Sequence, residues 1–587
     1  MLFNIVHGLV SGLDGGTEEQ NETDFFSFSP AQTLPQVILV LLASLCFAVQ
    51  FGLNYGVSNQ NTYFLQGMRL FDPGLFAKDW VITQAADPHP FFKYIVYFLF
   101  LLTPKGFSFI IANVVANFFG AFIIFRIIAQ LSRDNALPIF LAVMAILCGT
   151  RTQSVAETYI FSWTFQPSSV GALGFLLSLF FFIRGSYFAS GLAIGLGGLF
   201  HANYIILSLP LYFAAHIILG KTNLLRRATA QLLIPLITLL PFFPIMWEMA
   251  TSPHANAAQA MLFNIRLPHN YVPAHFAFDF MPFVGWLLMG FAMGSLFLNR
   301  HPGRNVIVAL CAPMIAIVGI GTLLTTFIYI PAVAQLMVWR LTPFIDLFML
   351  IIVCICVFSD PLIASYSNKK VLLATTIAFV GAGLISRYYY YYAVLRIPAI
   401  LFLLLLIWLY RLYIGRRQSL FGLNWRQFIM ASAVIILLIG ELTSMGDFKA
   451  RSRLIKGYPP EFAELYQWCQ KTPKDALFLI VPNMQDFRLQ AKRSVVVDWK
   501  SGGLTPTDAL EWYHRMVDVC GNAQFADEAD AIAGYNAMDS SRFSSIIEKY
   551  GADYIIFPNK SIALTHIAQP TAFVNDSFVV LRVDHKH

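Results

Sequence analysis

The chain has 587 residues, 57% of them hydrophobic and only 12% charged, whereas soluble proteins run at about 45–50% apolar and about 25% charged. That composition excludes an ordinary soluble enzyme. The net charge of +7 is scattered over short loops instead of gathered in one patch, which argues against nucleic acid as a partner.

Residues 1–33 hold five acids and no Lys or Arg, the pattern of an acidic tail and not of a cleavable leader. Apolar segments able to cross a bilayer follow near 34–53, 107–125, 136–150 and 168–184. The stretch 186–220 is too long for one untilted span and carries Gly195, Gly197 and Gly198 before His201. It reads as two short helices, out and back, broken near the histidine. Further segments lie near 228–247, 281–299, 305–327, 341–358, 371–386, 394–413 and 427–443, for thirteen crossings in all. Alternate loops share a basic bias, from Arg126 and Arg184 through Arg226 and Arg227 to Arg416 and Arg417. This bias puts that face and the N-terminus in the cytoplasm. The opposite face has the longer loops, 54–106 and 248–280 among them, and Phe91 to Leu102 within the first is an apolar run suited to lying at the membrane surface.

Residues 446–587 differ: their 142 positions hold 16 Lys+Arg and 17 Asp+Glu, a soluble-type charge density. Helices are expected at 459–471, 506–519 and 540–549, with strands at 476–481, 494–499, 554–557 and 577–583. The chain therefore reads as a polytopic α-helical membrane domain (34–445) followed by an extracytoplasmic α/β domain (446–587), with no nucleotide-binding motif. Cys469 and Cys520 in that domain are candidates for a disulfide if it faces an oxidising compartment.

Ionic and polar groups near a bilayer are expensive and each needs a reason. The first outer loop offers Asn59, Gln60, Tyr63, Asp79, Asp87 and His89, and the second offers Glu157, for which a pairing with Arg151 is the plain alternative. In the loop 248–280, Arg266 supplies a fork of donors while His269 and Asn270 suit phosphate or sugar hydroxyls. His254, His269 and His275 have no metal-ligand spacing. Arg340 begins a late crossing at headgroup level, where it can bind a lipid phosphate with Asp346 orienting it, or simply pair with Asp346. His201 is either a packing residue or faces the same cavity.

The order of these features resembles the membrane glycosyltransferases of the GT-C superfold, particularly the aminoarabinose and protein-mannosyl transferase branch. The resemblance is carried by the long first outer loop from Asn59-Gln60-Asn61 to Lys78-Asp79-Trp80, by His89-Pro90-Phe91-Phe92 opening an interfacial helix, and by Glu157 after the third crossing. It extends to the Gly-rich run 191–198 before His201, to Arg340, and to the closing α/β domain. Where such enzymes carry an acid after the first crossing, this chain has Asn59 and Gln60, amides that take no proton at neutral pH.

The resemblance implies a polyprenyl-phosphate sugar donor, a glycan, lipid or protein acceptor, no metal or other cofactor, and a bacterial inner membrane with the C-terminal domain in the periplasm. It also implies Arg340, Arg266 and His269 on the leaving phosphate, with Asp79 first and Glu157 second as general base. A transporter, or a non-catalytic partner that binds lipid-linked sugar, are the rival readings.

Overall fold

The computed structural model describes residues 51–358 and 452–584, apart from short breaks at 104–105, 133–135, 150–153, 221–222, 298–300, 329 and 523, together with most of 37–48. The acidic tail, Arg151 and the crossings expected at 371–386, 394–413 and 427–443 lie outside the described residues.

Among the described residues, six helices are long and apolar enough to cross a membrane: Phe107–Leu131, Ala202–Leu219, Leu224–Thr251, Pro273–Ser295, Arg304–Ile328 and Ala332–Cys356. Shorter apolar helices, Ala136–Gly149, Pro167–Ile183 and Tyr187–Gly198, pack among them. The stretch 186–220 does break at the histidine. Tyr187–Gly198 ends, His201 takes an extended backbone (φ −155°, ψ 93°), and Ala202–Leu219 begins. The glycines before the break serve close packing: a Cβ on Gly174 would stand 2.5 Å from the Gly197 Cα, so the helices on either side of 184–186 touch backbone to backbone.

In the first outer loop, helix Phe92–Leu102 buries Phe92, Val96, Leu99 and Phe100, the i, i+4, i+7, i+8 stripe of one helical face. Gly67 of helix Leu65–Phe71 makes room for it, since a Cβ there would meet the Val96 side chain at 2.4 Å. Its opposite face is apolar as well, with Tyr94, Phe98, Leu101 and Leu102 exposed, as suits a helix lying against lipid.

The C-terminal unit holds a five-stranded sheet in the order β2-β1-β3-β5-β4. The strands β1 (Leu477–Leu479), β2 (Ser494–Val495) and β3 (Tyr554–Pro558) run parallel, whereas β4 (Thr571–Val574) and β5 (Phe578–Arg582) close one side antiparallel. Helices Pro460–Cys469, Pro506–Cys520, Glu528–Asn536 and Ser540–Tyr550 flank it, three of them started by Thr505, Asp527 and Asp539 side chains that accept a backbone N–H. Glu528–Asn536 and β4 were not expected from the sequence. Cys469 and Cys520 do not pair: both are free thiols, each buried in the apolar core at the C-terminal end of its helix.

The outer loops and the α/β unit are fastened together. Trp80 packs in the unit's core. Asp79 and Arg488, both with fully buried side chains, meet at 2.6 Å, and Arg488 also pairs with Asp498.

Candidate functional site

A cavity of about 550 Å³ opens between the apolar helices, the outer loops and the α/β unit, a size in the usual range for small-molecule sites. Asn59, Tyr63, His89, Glu157, His201, Arg266, His269, Asn270 and Arg340 all line it. Residues from Asn59 to Arg340 in the sequence thus face one hollow. Of the charged side chains on its wall, Lys93, Arg266, Arg340 and Lys500 are cationic and Asp87 and Glu157 anionic, an excess of positive charge suited to an anion.

The backbone around this hollow is unusually strained. Among the described residues, seven non-glycine residues adopt left-handed φ, and four of them, Ser58, Ala156, Glu157 and Met337, line the cavity. Each such conformation costs on the order of 1–3 kcal/mol, and they gather where a site must be shaped. Glu157 follows Ala156 with φ 57° and 55°, so two successive strained residues set the direction of its exposed carboxylate.

On one wall stand Tyr63, His89 and His201. The His89 ring lies 4.7 Å from Tyr63 and 5.0 Å from His201, centroid to centroid. Burial, with Arg340 adding to it, pushes His89 down to about 3, so its imidazole is neutral at physiological pH. The Nδ1 atoms of both histidines and the Nε of Arg340 are buried and lack a hydrogen-bond partner among the described residues. Buried donors and acceptors are normally satisfied, and these three are able to take a further hydrogen bond. Arg340 itself is carried on the short helix Val338–Leu341 and contacts the Met337 sulfur at 3.4 Å.

Against the α/β unit, Arg266 ends the turn Leu262–Arg266 and donates to the Lys500 and Gly503 carbonyls while lying 5.4 Å from the Trp512 ring centroid. Burial lowers it to about 10, so it remains a cation. Two of its five N–H groups are thereby committed to the loop 500–503. His269 and Asn270 follow in helix Pro268–Tyr271. Burial lowers the His269 pKa, partly countered by Glu157.

Three residues expected at the site lie elsewhere. Asp79 is fully buried and absent from the cavity wall. Its Oδ2 accepts from Arg488 Nε at 2.6 Å and from the Val495 N–H at 3.0 Å, and its Oδ1 from the Val81 N–H at 3.2 Å. Enclosed in this way, the carboxylate expected as general base faces away from the hollow and joins the first outer loop to the α/β unit. Gln60 is also turned away, its side chain accepting from the Gly56 N–H and donating to the Phe165 carbonyl, whereas the neighbouring Asn59 reaches the cavity and bonds Gln166 at 3.0 Å. Asp346, expected beside Arg340, instead accepts from Ser154 Oγ at 2.7 Å. Among the described residues no group of three or more His, Cys, Asp or Glu side chains could hold a metal.

Residues 460–519 match a family described as a domain of unknown function (DUF6798), and no curated protein matches the chain. Among solved structures it is similar to ArnT from Cupriavidus metallidurans bound to undecaprenyl phosphate, at 13% identity over 94% of this chain and 98% of that one, with a TM-score of 0.52. ArnT in the apo state matches with the same identity and coverage and a TM-score of 0.50. The chain has a GT-C-like fold. At that identity the likeness concerns fold and not residues. In this GT-C-like frame the cavity lies where the outer loops and the C-terminal sheet meet.

Sequence reasoning missed Lys500, which lines the cavity from the α/β side. A signal existed: Trp499-Lys500-Ser501-Gly502-Gly503 is a glycine-containing loop at the carboxyl end of a strand, the customary ligand position in open α/β sheets.

Proposed function

We propose that the protein is a membrane glycosyltransferase that moves a sugar from a polyprenyl-phosphate carrier to a hydroxyl of a glycan, lipid or protein on the outer face of a bacterial inner membrane. The observation that carries this reading is the convergence of Arg340, Arg266 and Lys500 with the Glu157 carboxylate on one hollow beside membrane-crossing helices. The similarity to ArnT crystallised with undecaprenyl phosphate supports the choice of carrier.

In this reaction the acceptor oxygen attacks the anomeric carbon, the bond from that carbon to the phosphate oxygen breaks, and polyprenyl phosphate leaves with the electron pair. Glu157 takes the acceptor proton. Arg340 faces the phosphate and stabilises the charge that develops on it, and the neutral His89 and His201 offer ring nitrogens without adding charge. Arg266 shapes the wall and adds positive potential. Asp87 is the other carboxylate on the wall; it lies 3.7 Å from Lys93 and accepts from the His89 N–H, and the role of base is assigned to Glu157 for the exposure of its carboxylate toward the hollow.

The test is transfer of labelled sugar from lipid extracts by the purified full chain. Activity that falls steeply in Glu157→Gln and survives in Asp87→Asn supports the assignment. A chain that binds lipid-linked sugar but transfers none, in wild type as in Glu157→Gln, would replace it with the non-catalytic reading.

A further inference from the structure

Lys500 comes from the α/β unit, yet its side chain lines the cavity. It shares that wall with the cations Arg266, Arg340 and Lys93 and with the carboxylates of Asp87 and Glu157. The wall carries four cations against two carboxylates, and a phosphate oxygen in the hollow is a partner able to bridge the Lys500 ammonium and a neighbouring guanidinium.

The loop that carries Lys500 is held from several sides. The Asp498 carboxylate accepts from the Ser501 N–H and from Arg488, whose Nε is bound to Asp79 at 2.6 Å. Trp512 Nε1 donates to the Asp498 carbonyl at 2.9 Å. Thr62 of the first outer loop meets Ser501 hydroxyl to hydroxyl at 3.1 Å, and Arg266 grips the carbonyls of Lys500 and Gly503. Thr62 and Arg266 come from the loops 54–106 and 248–280. A loop bound this tightly on both sides fixes where its one long cationic side chain enters the hollow.

We infer that Lys500 contacts the phosphoryl group of the lipid-linked substrate, and that Asp498 is a positioning residue which, through Arg488 and Asp79, holds Lys500 in place. The inference rests on the proposed function for the identity of the substrate and goes beyond it: the α/β unit supplies a binding group and is not merely a cover over the site.

The experiment measures binding of undecaprenyl phosphate and of uncharged undecaprenol to the full chain in lipid nanodiscs, and takes the ratio of the two affinities as the phosphate preference. Lys500→Ala should reduce that preference roughly 10-fold or more, the worth of one charged hydrogen bond, and Lys500→Arg should restore most of it. Asp498→Asn should lower the preference on its own and add nothing in a Lys500→Ala background. Because undecaprenol binding is divided out, a general loss of folding does not produce this pattern.

A wild-type preference kept by Lys500→Ala but lost by Arg340→Ala overturns the role of Lys500 and leaves the proposed function standing. A wild type with no preference overturns both. Independent, additive losses from Asp498→Asn and Lys500→Ala overturn the positioning role of Asp498.

Discussion

Replacing Asp79 by Asn separates a structural bolt from a catalytic base. The carboxylate is fully buried, with Arg488 Nε at 2.6 Å and the Val495 and Val81 amides at 3.0 and 3.2 Å. Removing one member of a buried ion pair costs about 3–5 kcal/mol, because the remaining charge is stranded in a poor solvent. Asn retains some hydrogen bonding and Arg488 keeps Asp498, which favours the lower end. At about 1.4 kcal/mol per tenfold, the junction of outer loop and α/β unit should then open roughly 10²-fold more often. Amide hydrogen exchange on the full chain reads this directly at Val495, whose N–H is bound to Asp79, and across 498–503. Exchange there should accelerate by about that factor, with the far edge of the sheet around β4 and β5 changing less. Unchanged protection at Val495, combined with abolished sugar transfer, would refute the bolt and return Asp79 to the chemistry.

Glu157→Gln should lower sugar transfer by about 10²- to 10⁴-fold, the usual range for a general base, while the exposed side chain leaves thermal unfolding within about 0.5 kcal/mol of wild type. A Gly502→Ala substitution brings a Cβ to 2.6 Å from Arg266 Nη1 and 2.8 Å from Trp512; overpacking of about 1–3 kcal/mol should lower the midpoint of urea unfolding, and an unaltered midpoint would contradict the packing described. His89, held down to about 3 against an ordinary 6.5, contributes stability that is present above pH 6.5 and declines as pH falls toward 3. That decline has a slope of about 1.4 kcal/mol per pH unit, and His89→Gln should flatten this part of a stability-against-pH curve.

Much of the architecture was legible because its signals are local. Apolar runs gave the helices at 107–131, 167–183 and 304–328, glycines followed by a histidine gave the break at His201, and short β-branched and aromatic runs gave β1, β3 and β5. The strand β4 escaped notice because Thr571-Ala572-Phe573-Val574 is half exposed and carries no alternating pattern. The membership of the site was partly legible, since ionic residues in apolar surroundings stand out: Arg266, Arg340, Glu157, His89 and His201 do share one cavity. What the sequence could not disclose was pairing across 409 positions. Asp79 looks catalytic until Arg488 is found beside it, and Lys500 looks like a solvated lysine until the α/β unit docks and turns its loop inward. Both depend on how two distant parts of the chain meet, a long-range arrangement to which hydropathy and periodicity are blind.

The most direct measurement is a structure of the full chain determined with undecaprenyl phosphate added. The account predicts the phosphate within hydrogen-bonding reach, about 3 Å, of Arg340 inside the cavity, with the prenyl tail leaving between the apolar helices and the sugar on the side of Glu157. A phosphate bound elsewhere, with Arg340 and Lys500 left untouched, would contradict it.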